Sequence, residues 1–354
     1  YIMYYNLEKF YKNKKILITG ASGFKGSWLS FLLNKFGAKL ICIGNKNSNN
    51  SLFNKLELNK KIKLHKIDIR VFDKINFIIK KKKPSIIFHL AAQPSIFESH
   101  KKPLETFETN ANGSLNILES VRKNGFVKSI IISTSDKCYR SNNSTVGFKE
   151  TDELLGTDPY TASKVCVENL VAAYRESFFK NKIGISTVRS GNVIGGGDWA
   201  ENRLMPDIIK SLSKKKIIHL RNPRFNRPWQ YVLEPLKGYL ILALKLYNDP
   251  KKFSEAFNFG TEKNSIKNVE QIVKYAIMFW GSGKLISNKK NKISEQKNLQ
   301  LNIHKAKKKL KWKPTYSMKK SVKVTIEWYK NVLQKKNSPK DITNKQIEEY
   351  FSES

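Results

Sequence analysis

The chain has 354 residues, 40% of them hydrophobic, which is enough to fill a sizeable core and excludes an intrinsically disordered protein. It contains no run of about eighteen apolar residues, and its first residues do not follow the pattern of a secretory leader, so we expect a cytoplasmic protein without membrane contact. The three cysteines have neither metal-site spacing nor the even number of a disulfide framework, and we therefore predict no metal and no disulfide.

The charge is strongly basic. The 66 Lys and Arg residues against 29 Asp and Glu give a net charge of +37, which is typical of nucleic-acid-binding proteins. However, the basic residues are spread along the chain, with short runs only at residues 80–83, 214–216 and 305–309. We interpret them as a solvated surface that binds no nucleic acid and raises the rate of encounter with an anionic substrate.

The first half of the chain alternates between short apolar runs and helical patterns. Residues 15–20 predict a buried strand that ends in glycine, and residues 26–36 carry apolar residues at helical spacing. Further strands are predicted at residues 39–43, 62–68, 85–91, 129–133 and 185–189, with a long helix at residues 159–180. This order predicts an α/β fold with a doubly wound, Rossmann-like parallel sheet.

The second half is less regular. A glycine-rich polar loop at residues 191–206 precedes helices at residues 207–214, 233–247 and 269–280 and a strand at residues 256–259. We predict a dinucleotide-binding domain and a smaller, sequence-discontinuous substrate-binding lobe. The domain comprises residues 1–188 and 228–260, the lobe residues 189–227 and 261–335, and residues 336–354 form a loosely held polar tail.

A glycine-rich turn joins the first predicted strand to the first predicted helix. Its spacing, G-x-x-G-x-x-G, allows a tight turn, close approach of the backbone to a pyrophosphate and close packing of the helix. The phosphates would lie at the helix N-terminus, where free N–H groups and the helix dipole favour anions. The residues assigned to this cofactor loop are Gly20, Ser22, Gly23, Phe24, Lys25 and Gly26.

The second predicted strand does not end in the acidic residue that binds the adenosine ribose of NAD. It continues as Gly44, Asn45 and Lys46, and Lys46 could also meet the 2′-phosphate of NADP. The residues alone therefore leave NAD and NADP open.

Tyr160 and Lys164 are four residues apart in a predicted helix and lie on one face of it. A tyrosine pKa is about 10 in water, and a nearby ammonium lowers it. We therefore expect Lys164 to make Tyr160 a usable base for a substrate hydroxyl.

A polar cluster follows the strand predicted at residues 129–133. It consists of Thr134, Ser135, Asp136 and Lys137. We predict that Ser135, or Thr134 as the alternative, hydrogen-bonds the reacting oxygen.

Several segments together match a known family in the cofactor loop, after the fifth strand and in the second half. They are GFKGSW, AAQP, SDKCY, GNVIGGGDWAENRL, RPWQYVLEPL and FNFG, within residues 13–330. Over this range the chain resembles the nucleotide-sugar 4,6-dehydratases of the extended short-chain dehydrogenase/reductase family, and among them those that act on CDP-glucose. The resemblance implies NAD as cofactor and a small nucleotide-sugar substrate.

The resemblance also implies further cofactor contacts. Asp68 and Ile69 would contact adenine, and Asn110 corresponds to the family's central asparagine. The residues that would line the cofactor after the fourth strand are Leu90, Ala91, Ala92 and Gln93.

Catalytic roles follow from the same resemblance. Tyr160 would take the proton from the hydroxyl on carbon 4 while the hydrogen of that carbon passes to NAD, and Asp136 would protonate the hydroxyl that leaves carbon 6. Lys137, or a water that it holds, would take the proton from carbon 5, where dehydratases of dTDP-glucose carry a glutamate. The product would be CDP-4-dehydro-6-deoxyglucose.

The substrate-binding residues implied by the family are Thr134, Arg189, Asn192, Arg203, Arg227 and Trp229. Arginines bind phosphates in a bidentate manner, so Arg227 would hold the diphosphate and Asn192 would contact it. Trp199 and Trp229 could equally belong to the core.

Other functions remain open. A dehydratase or epimerase for another nucleotide sugar shares the fold, although an epimerase needs no acid at Asp136. A basic nucleic-acid-binding protein would show lysines clustered on one face, and a cofactor sensor without activity would lack Tyr160. Family members commonly pair the helices before Arg122 and after Pro159, so we expect a homodimer or a dimer of dimers.

Overall fold

The computed structural model describes residues 2–44, 51–140, 147–220, 223, 225–287 and 299–354. The strands in these ranges are β1 Lys15–Thr19, β2 Lys39–Ile43, β3 Leu64–His65, β4 Ile86–His89, β5 Ser129–Ser133, β6 Gly184–Ser190, β7 Val193–Ile194, β8 Ile218–Leu220, β9 Asn226–Arg227, β10 Gln230–Tyr231, β11 Phe257–Phe259, β12 Lys267–Asn268 and β13 Leu285–Ser287.

The α-helices in these ranges are α1 Ile2–Tyr11, α2 Phe24–Lys35, α3 Leu52–Lys55, α4 Phe72–Lys82, α5 Ile96–Lys101, α6 Pro103–Phe107, α7 Gly113–Asn124, α8 Pro159–Tyr174, α9 Leu204–Ser213, α10 Leu233–Asn248, α11 Pro250–Phe253, α12 Val269–Trp280, α13 His304–Leu310, α14 Met318–Leu333 and α15 Pro339–Ser352. Two π-helical turns extend helices, Glu108–Asn112 before α7 and Arg175–Phe179 after α8.

Seven parallel strands form the central sheet, in the spatial order β11-β6-β5-β4-β1-β2-β3. Alternate residues of a strand point to opposite faces, and in β1 Ile16 and Ile18 enter one core cluster while Leu17 enters the other. The first cluster includes residues of α2, α10 and α14, and the second includes residues of α4, α7 and α8. This confirms the predicted doubly wound α/β fold.

The strand order reverses beside β1, whose neighbours are β2 on one side and β4 on the other. In open parallel sheets ligands bind outside the carboxyl ends of the strands at such a point, which we call the switch region. The segments that leave β1, β4, β5 and β6 there begin at Gly20, Leu90, Thr134 and Gly191.

Three small two-stranded sheets lie outside the central one. They pair β7 with β10, β9 with β12 and β8 with β13. No helix in the described ranges combines the length and the apolar character needed to cross a membrane. The same ranges hold no cluster of three or more His, Cys, Asp or Glu side chains that could bind a metal ion.

The prediction of a loosely held tail at residues 336–354 was wrong. Pro339–Ser352 forms α15, and the side chains of Ile347, Tyr350 and Phe351 are buried in the first core cluster, which we call the main core. The Tyr350 hydroxyl donates to Glu234 Oε2 at 2.6 Å, which joins α15 to α10. The few apolar residues of this polar segment form one helical stripe, and the stripe packs against the rest of the chain.

Smaller differences concern the ends of elements. β3 covers only Leu64–His65 of the predicted 62–68, and α9 begins at Leu204 rather than at residue 207. α1 was not predicted; Tyr11 anchors it by donating from its hydroxyl to the carbonyl oxygen of Leu240 at 2.7 Å.

Candidate active site

The turn between β1 and α2 is shaped for close backbone packing. Gly20 has φ +69°, and a Cβ there would lie 2.8 Å from the amide nitrogen of Ala91. A Cβ on Gly26 would lie 2.1 Å from the carbonyl oxygen of Gly20. Gly23 is the N-cap residue of α2, and no side chain in the described ranges caps this helix end. The first amides of α2 therefore remain available for an anion.

Three side chains of the same turn contact other parts of the switch region. Ser22 lies against Gly44 after β2, and the Phe24 ring lies against Gly195 after β7. Lys25 Nζ lies 3.4 Å from Ser133 Oγ at the end of β5. A cation in the first turn of a helix opposes the helix dipole, so an anion bound at this helix end would relieve that repulsion.

A buried chain of hydrogen bonds runs from Thr19, directly before the cofactor loop, through His89 to Ser114 on α7. His89 Nδ1 lies 2.7 Å from Thr19 Oγ1, which also accepts from the amide of Ala91, and His89 Nε2 lies 3.0 Å from Ser114 Oγ. Burial, with a contribution from the charge of Lys164, lowers the pKa of His89 to about 3, so the ring is neutral. Sequence reasoning placed His89 in the segment that lines the cofactor but missed Thr19 and Ser114. For Thr19 the signal was a polar residue at the end of an apolar strand.

Asn110 connects the segment after β4 to α8. Its Oδ1 accepts from the amide of Gln93 at 2.8 Å, and its Nδ2 donates to the Gln93 carbonyl oxygen and, at 2.9 Å, to Ser163 Oγ. Gln93, Leu90, Ala91 and Ala92 are half-buried at the edge of the switch region. Their contact with a cofactor stays a prediction.

The predicted adenine contacts lie at the other side of the switch region. The Asp68 carboxylate accepts three hydrogen bonds from the Arg70 side chain and one from its amide, and these bonds hold the pKa of Asp68 below its usual value. Ile69 is buried against Gly113. Both assignments stay predictions, and Asn45 and Lys46 lie outside the described residues.

The segment after β5 presents a carboxyl group in a buried setting. Ser135 Oγ caps the turn by accepting from the amide of Lys137 and donates to Asp136 Oδ1, each at 3.2 Å. Asp136 is only 3% exposed, and Oδ2 has no hydrogen-bond partner in the described part of the chain. Burial raises the pKa of Asp136, while the charges of Lys137 and Arg227 oppose this rise. A Cβ on Gly191 would lie 3.0 Å from Oδ2, which places the loop after β6 directly opposite.

Tyr160 and Lys164 are both buried on α8, whose start is fixed by a capping box between Asp158 and Thr161. Lys164 Nζ donates to the carbonyl oxygen of Ser133 at 3.0 Å, and burial lowers its pKa to about 8. Burial raises the pKa of Tyr160, and a hydrogen bond with Ser135 opposes this rise. Lys164 thus binds β5, and Ser135 is the contact that opposes the rise in the pKa of Tyr160. A lowering of this pKa by Lys164 stays a prediction.

Two predicted substrate residues are internal. Arg189 is 4% exposed and forms a buried ion pair with Glu168, with Nε donating to Oε1 at 2.8 Å. Thr134 Oγ1 donates to the same carboxylate oxygen at 2.6 Å. Neither side chain has a free polar atom for a substrate, so we correct both assignments. Glu168 was missed, because its pairing with Arg189 joins α8 to β6 and no local spacing indicates it.

The remaining predicted substrate residues lie around the loop opposite Asp136. Trp229 is buried in the main core, which favours the core alternative for this residue. The carbonyl oxygen of Asn192 accepts from the amide of Gln230, and Arg203 pairs with Asp198 at 3.0 Å. The guanidinium of Arg227 lies over the Phe225 ring and contributes to the charge around Asp136. Substrate contact by Asn192, Arg203 and Arg227 stays a prediction.

A parallel sheet with a glycine turn after β1 and a Tyr-x-x-x-Lys pair on the helix after β5 is the arrangement of extended short-chain dehydrogenases/reductases. The chain is an enzyme of this class.

Comparisons with known proteins define the family. A family model described as GDP-mannose 4,6 dehydratase matches residues 17–325. The CDP-glucose 4,6-dehydratase of Salmonella typhimurium is 39% identical over 331 residues, which cover 91% of this chain and 92% of that protein. The chain therefore belongs to the GDP-mannose 4,6 dehydratase family.

Solved structures agree with the fold. The UDP-glucose 4-epimerase of Thermotoga maritima, solved with UDP-glucose, is 25% identical with a TM-score of 0.78 and covers 90% of this chain and 99% of its own. The dTDP-glucose 4,6-dehydratase of Bacillus anthracis, solved with NAD, is 21% identical with a TM-score of 0.76 and covers 90% and 97%.

Proposed function

We propose that the enzyme is a CDP-glucose 4,6-dehydratase, which converts CDP-glucose into CDP-4-dehydro-6-deoxyglucose and water. The observation that carries this proposal is the buried Asp136 carboxyl beside Ser135, at the carboxyl end of β5. Loss of a hydroxyl group as water requires a separate proton donor at that group, whereas inversion of a carbinol through a ketone needs only the base that takes the hydroxyl proton and returns it. The Salmonella typhimurium relative supports CDP-glucose as the substrate.

We propose NAD as the cofactor. The uncapped N-terminus of α2 and the close packing of Gly20 and Gly26 fit a pyrophosphate, and Lys25 adds a positive charge beside it. The Bacillus anthracis neighbour was solved with NAD, which supports this choice over NADP. When bound, NAD would take up the hydrogen of carbon 4 and return it to carbon 6.

Tyr160 would remove the proton from the hydroxyl on carbon 4, and Ser135 would hydrogen-bond the same oxygen. Burial raises the pKa of Tyr160, so the phenolate needs compensation. The Ser135 hydroxyl supplies part of it directly. Lys164 would add positive charge to the site while its ammonium stays bound to the Ser133 carbonyl oxygen.

Asp136 would donate its proton to the hydroxyl that leaves carbon 6. Burial raises its pKa, which favours the protonated form that a donor requires. Lys137 is half-buried and adjacent, and we assign to it, or to a water that it holds, the removal of the carbon 5 proton. Arg227, Asn192 and Arg203 would bind the diphosphate and nucleotide from the loops after β6 and β9.

The predicted division into a cofactor domain and a substrate lobe is retained in this proposal, except for the tail, which is part of the core.

We also propose a homodimer or a dimer of dimers in the cytoplasm. An interface formed by α5, α6 and the end of α8 is supported by three exposed apolar side chains, those of Phe97, Leu104 and Phe178. Sedimentation of the purified enzyme would test the oligomer.

The substrate is tested by assaying purified enzyme with CDP-, dTDP-, UDP- and GDP-glucose and with GDP-mannose. We expect a 4-dehydro-6-deoxy product from the CDP-sugar with a kcat/KM at least tenfold above the others. Preference for another nucleotide would reject CDP-glucose, and a hexose inverted at carbon 4 would favour an epimerase.

A further inference from the structure

Glu168 holds a buried carboxylate that the proposed mechanism does not use. It is 6% exposed and lies one turn after Lys164 on α8. Both of its oxygens are fully engaged: Oε1 accepts from Thr134 Oγ1 at 2.6 Å and Arg189 Nε at 2.8 Å, and Oε2 accepts from Thr187 Oγ1 at 2.7 Å and Arg189 Nη2 at 3.0 Å. The carboxylate therefore connects α8, the residue after β5, and β6.

Arg189 extends this network to a second point on the same loop. Its Nη1 donates to the Tyr139 hydroxyl at 2.8 Å, and that hydroxyl donates to Asn258 Oδ1 of β11 at 2.7 Å. Tyr139 is 1% exposed. The loop from Thr134 to Tyr139 is thus held at its first residue by Glu168 and at its last residue by Arg189.

The loop held in this way contains Ser135, Asp136 and Lys137. We propose that Glu168 and Arg189 are a pair of positioning residues, which fix both ends of this loop so that Ser135 and Asp136 face Tyr160. A buried ion pair contributes little net stability compared with an apolar pair of similar volume, but its hydrogen bonds are directional. The catalytic part of this proposal rests on the proposed function; the structural part, which is the restraint on the loop, does not.

The two threonines that donate to Glu168 provide a matched test. Thr134 and Thr187 are both buried, and each donates one hydroxyl to one carboxylate oxygen. Only Thr134 belongs to the loop. Thr134→Val and Thr187→Val therefore remove equivalent hydrogen bonds and leave the ion pair in place, whereas substitution of Glu168 would leave Arg189 buried without its partner and could prevent folding.

The first measurement uses the purified enzyme without substrate. Hydrogen–deuterium exchange followed by mass spectrometry should show at least fivefold faster amide exchange in peptides spanning residues 134–139 for Thr134→Val, and wild-type exchange there for Thr187→Val. Tyr139→Phe, which removes the hydroxyl that binds Arg189, should accelerate exchange in the same peptides. Equal exchange in Thr134→Val and wild type, or an equal effect of both threonine variants, would overturn the restraint.

The second measurement is kinetic, with the nucleotide sugar that the wild type turns over. Thr134→Val should lower kcat at least tenfold with KM changed less than twofold, and Thr134→Ser, which keeps the hydroxyl, should restore kcat to within threefold of wild type. Thr187→Val should keep kcat within twofold. If the wild type converts none of the five sugars, the proposed function fails, and the exchange measurement alone then decides on the positioning pair. A wild-type kcat in Thr134→Val would contradict its role in catalysis.

Discussion

The ammonium of Lys164 lies 3.0 Å from the carbonyl oxygen of Ser133, so it binds the last residue of β5. This contact ties α8, which carries Tyr160, to the strand that leads into Ser135 and Asp136. Lys25 reaches the side chain of the same Ser133 from the cofactor loop. Ser133 therefore contacts both the cofactor loop and α8, and it directly precedes the loop from Thr134 to Tyr139.

Tyr160→Phe should abolish turnover, because it removes the phenol oxygen that accepts the proton of the hydroxyl on carbon 4. The phenyl ring fills the same buried space, so we expect the fold and cofactor affinity to stay unchanged. Circular dichroism and cofactor titration provide those controls. A variant that keeps more than about a tenth of the wild-type rate, a barrier increase below about 1.4 kcal/mol, would exclude Tyr160 as the base.

Asp136→Asn should separate activity from stability. The amide cannot donate a proton to the leaving hydroxyl, so we expect elimination to slow and near-ultraviolet absorbance of reduced nicotinamide to persist on the enzyme. Burial disfavours the charged carboxylate, so the neutral amide should leave the free energy of unfolding at pH 7 unchanged or raise it. Full activity in this variant, measured by product formation, would remove Asp136 from the mechanism.

Lys137→Met tests the proposed base for carbon 5. The methionine keeps much of the side-chain length but cannot accept a proton or hold a water. Elimination should slow more than oxidation, so that the same near-ultraviolet absorbance rises after mixing with substrate in a stopped-flow instrument. Absence of this absorbance with unchanged turnover would reject the role of Lys137 and leave the dehydratase assignment intact.

His89 should make the fold less stable in mild acid. Its folded pKa is about 3, below the unfolded value of about 6.5, so its stabilising contribution is complete above pH 6.5 and is lost as the pH falls from 6.5 towards 3. The loss of stability from this site should approach about 1.4 kcal/mol per pH unit. Denaturant unfolding of wild type and His89→Gln at pH 7.5 gives the intrinsic cost of the substitution. Between pH 6.5 and pH 5 the free energy of unfolding should then fall less steeply in the variant than in wild type. Parallel pH profiles would contradict a buried neutral His89.

β1, β2, β4 and β5 were predictable from the sequence because each contains a short apolar run bounded by glycine or polar residues. The ends of β3 were not, because it covers only Leu64–His65. The sites of Gly20, Tyr160 and Asp136 were predictable because motifs fix their positions relative to those strands. The pairing of Arg189 with Glu168 was not, because it is a contact between β6 and α8 that no local spacing reports. α15 was missed for a similar reason: its few apolar residues are significant only in relation to Glu234 and the core that they contact.

The most direct test of the 4,6-dehydratase assignment follows the hydrogens of the sugar. With CDP-glucose deuterated at carbon 4, the label should appear on carbon 6 of the product, and unlabelled substrate in heavy water should acquire solvent deuterium at carbon 5. Mass spectrometry and NMR of the product distinguish the two positions. A product that lacks the carbon 6 label, or a hexose that is only inverted at carbon 4, would contradict the 4,6-dehydratase assignment.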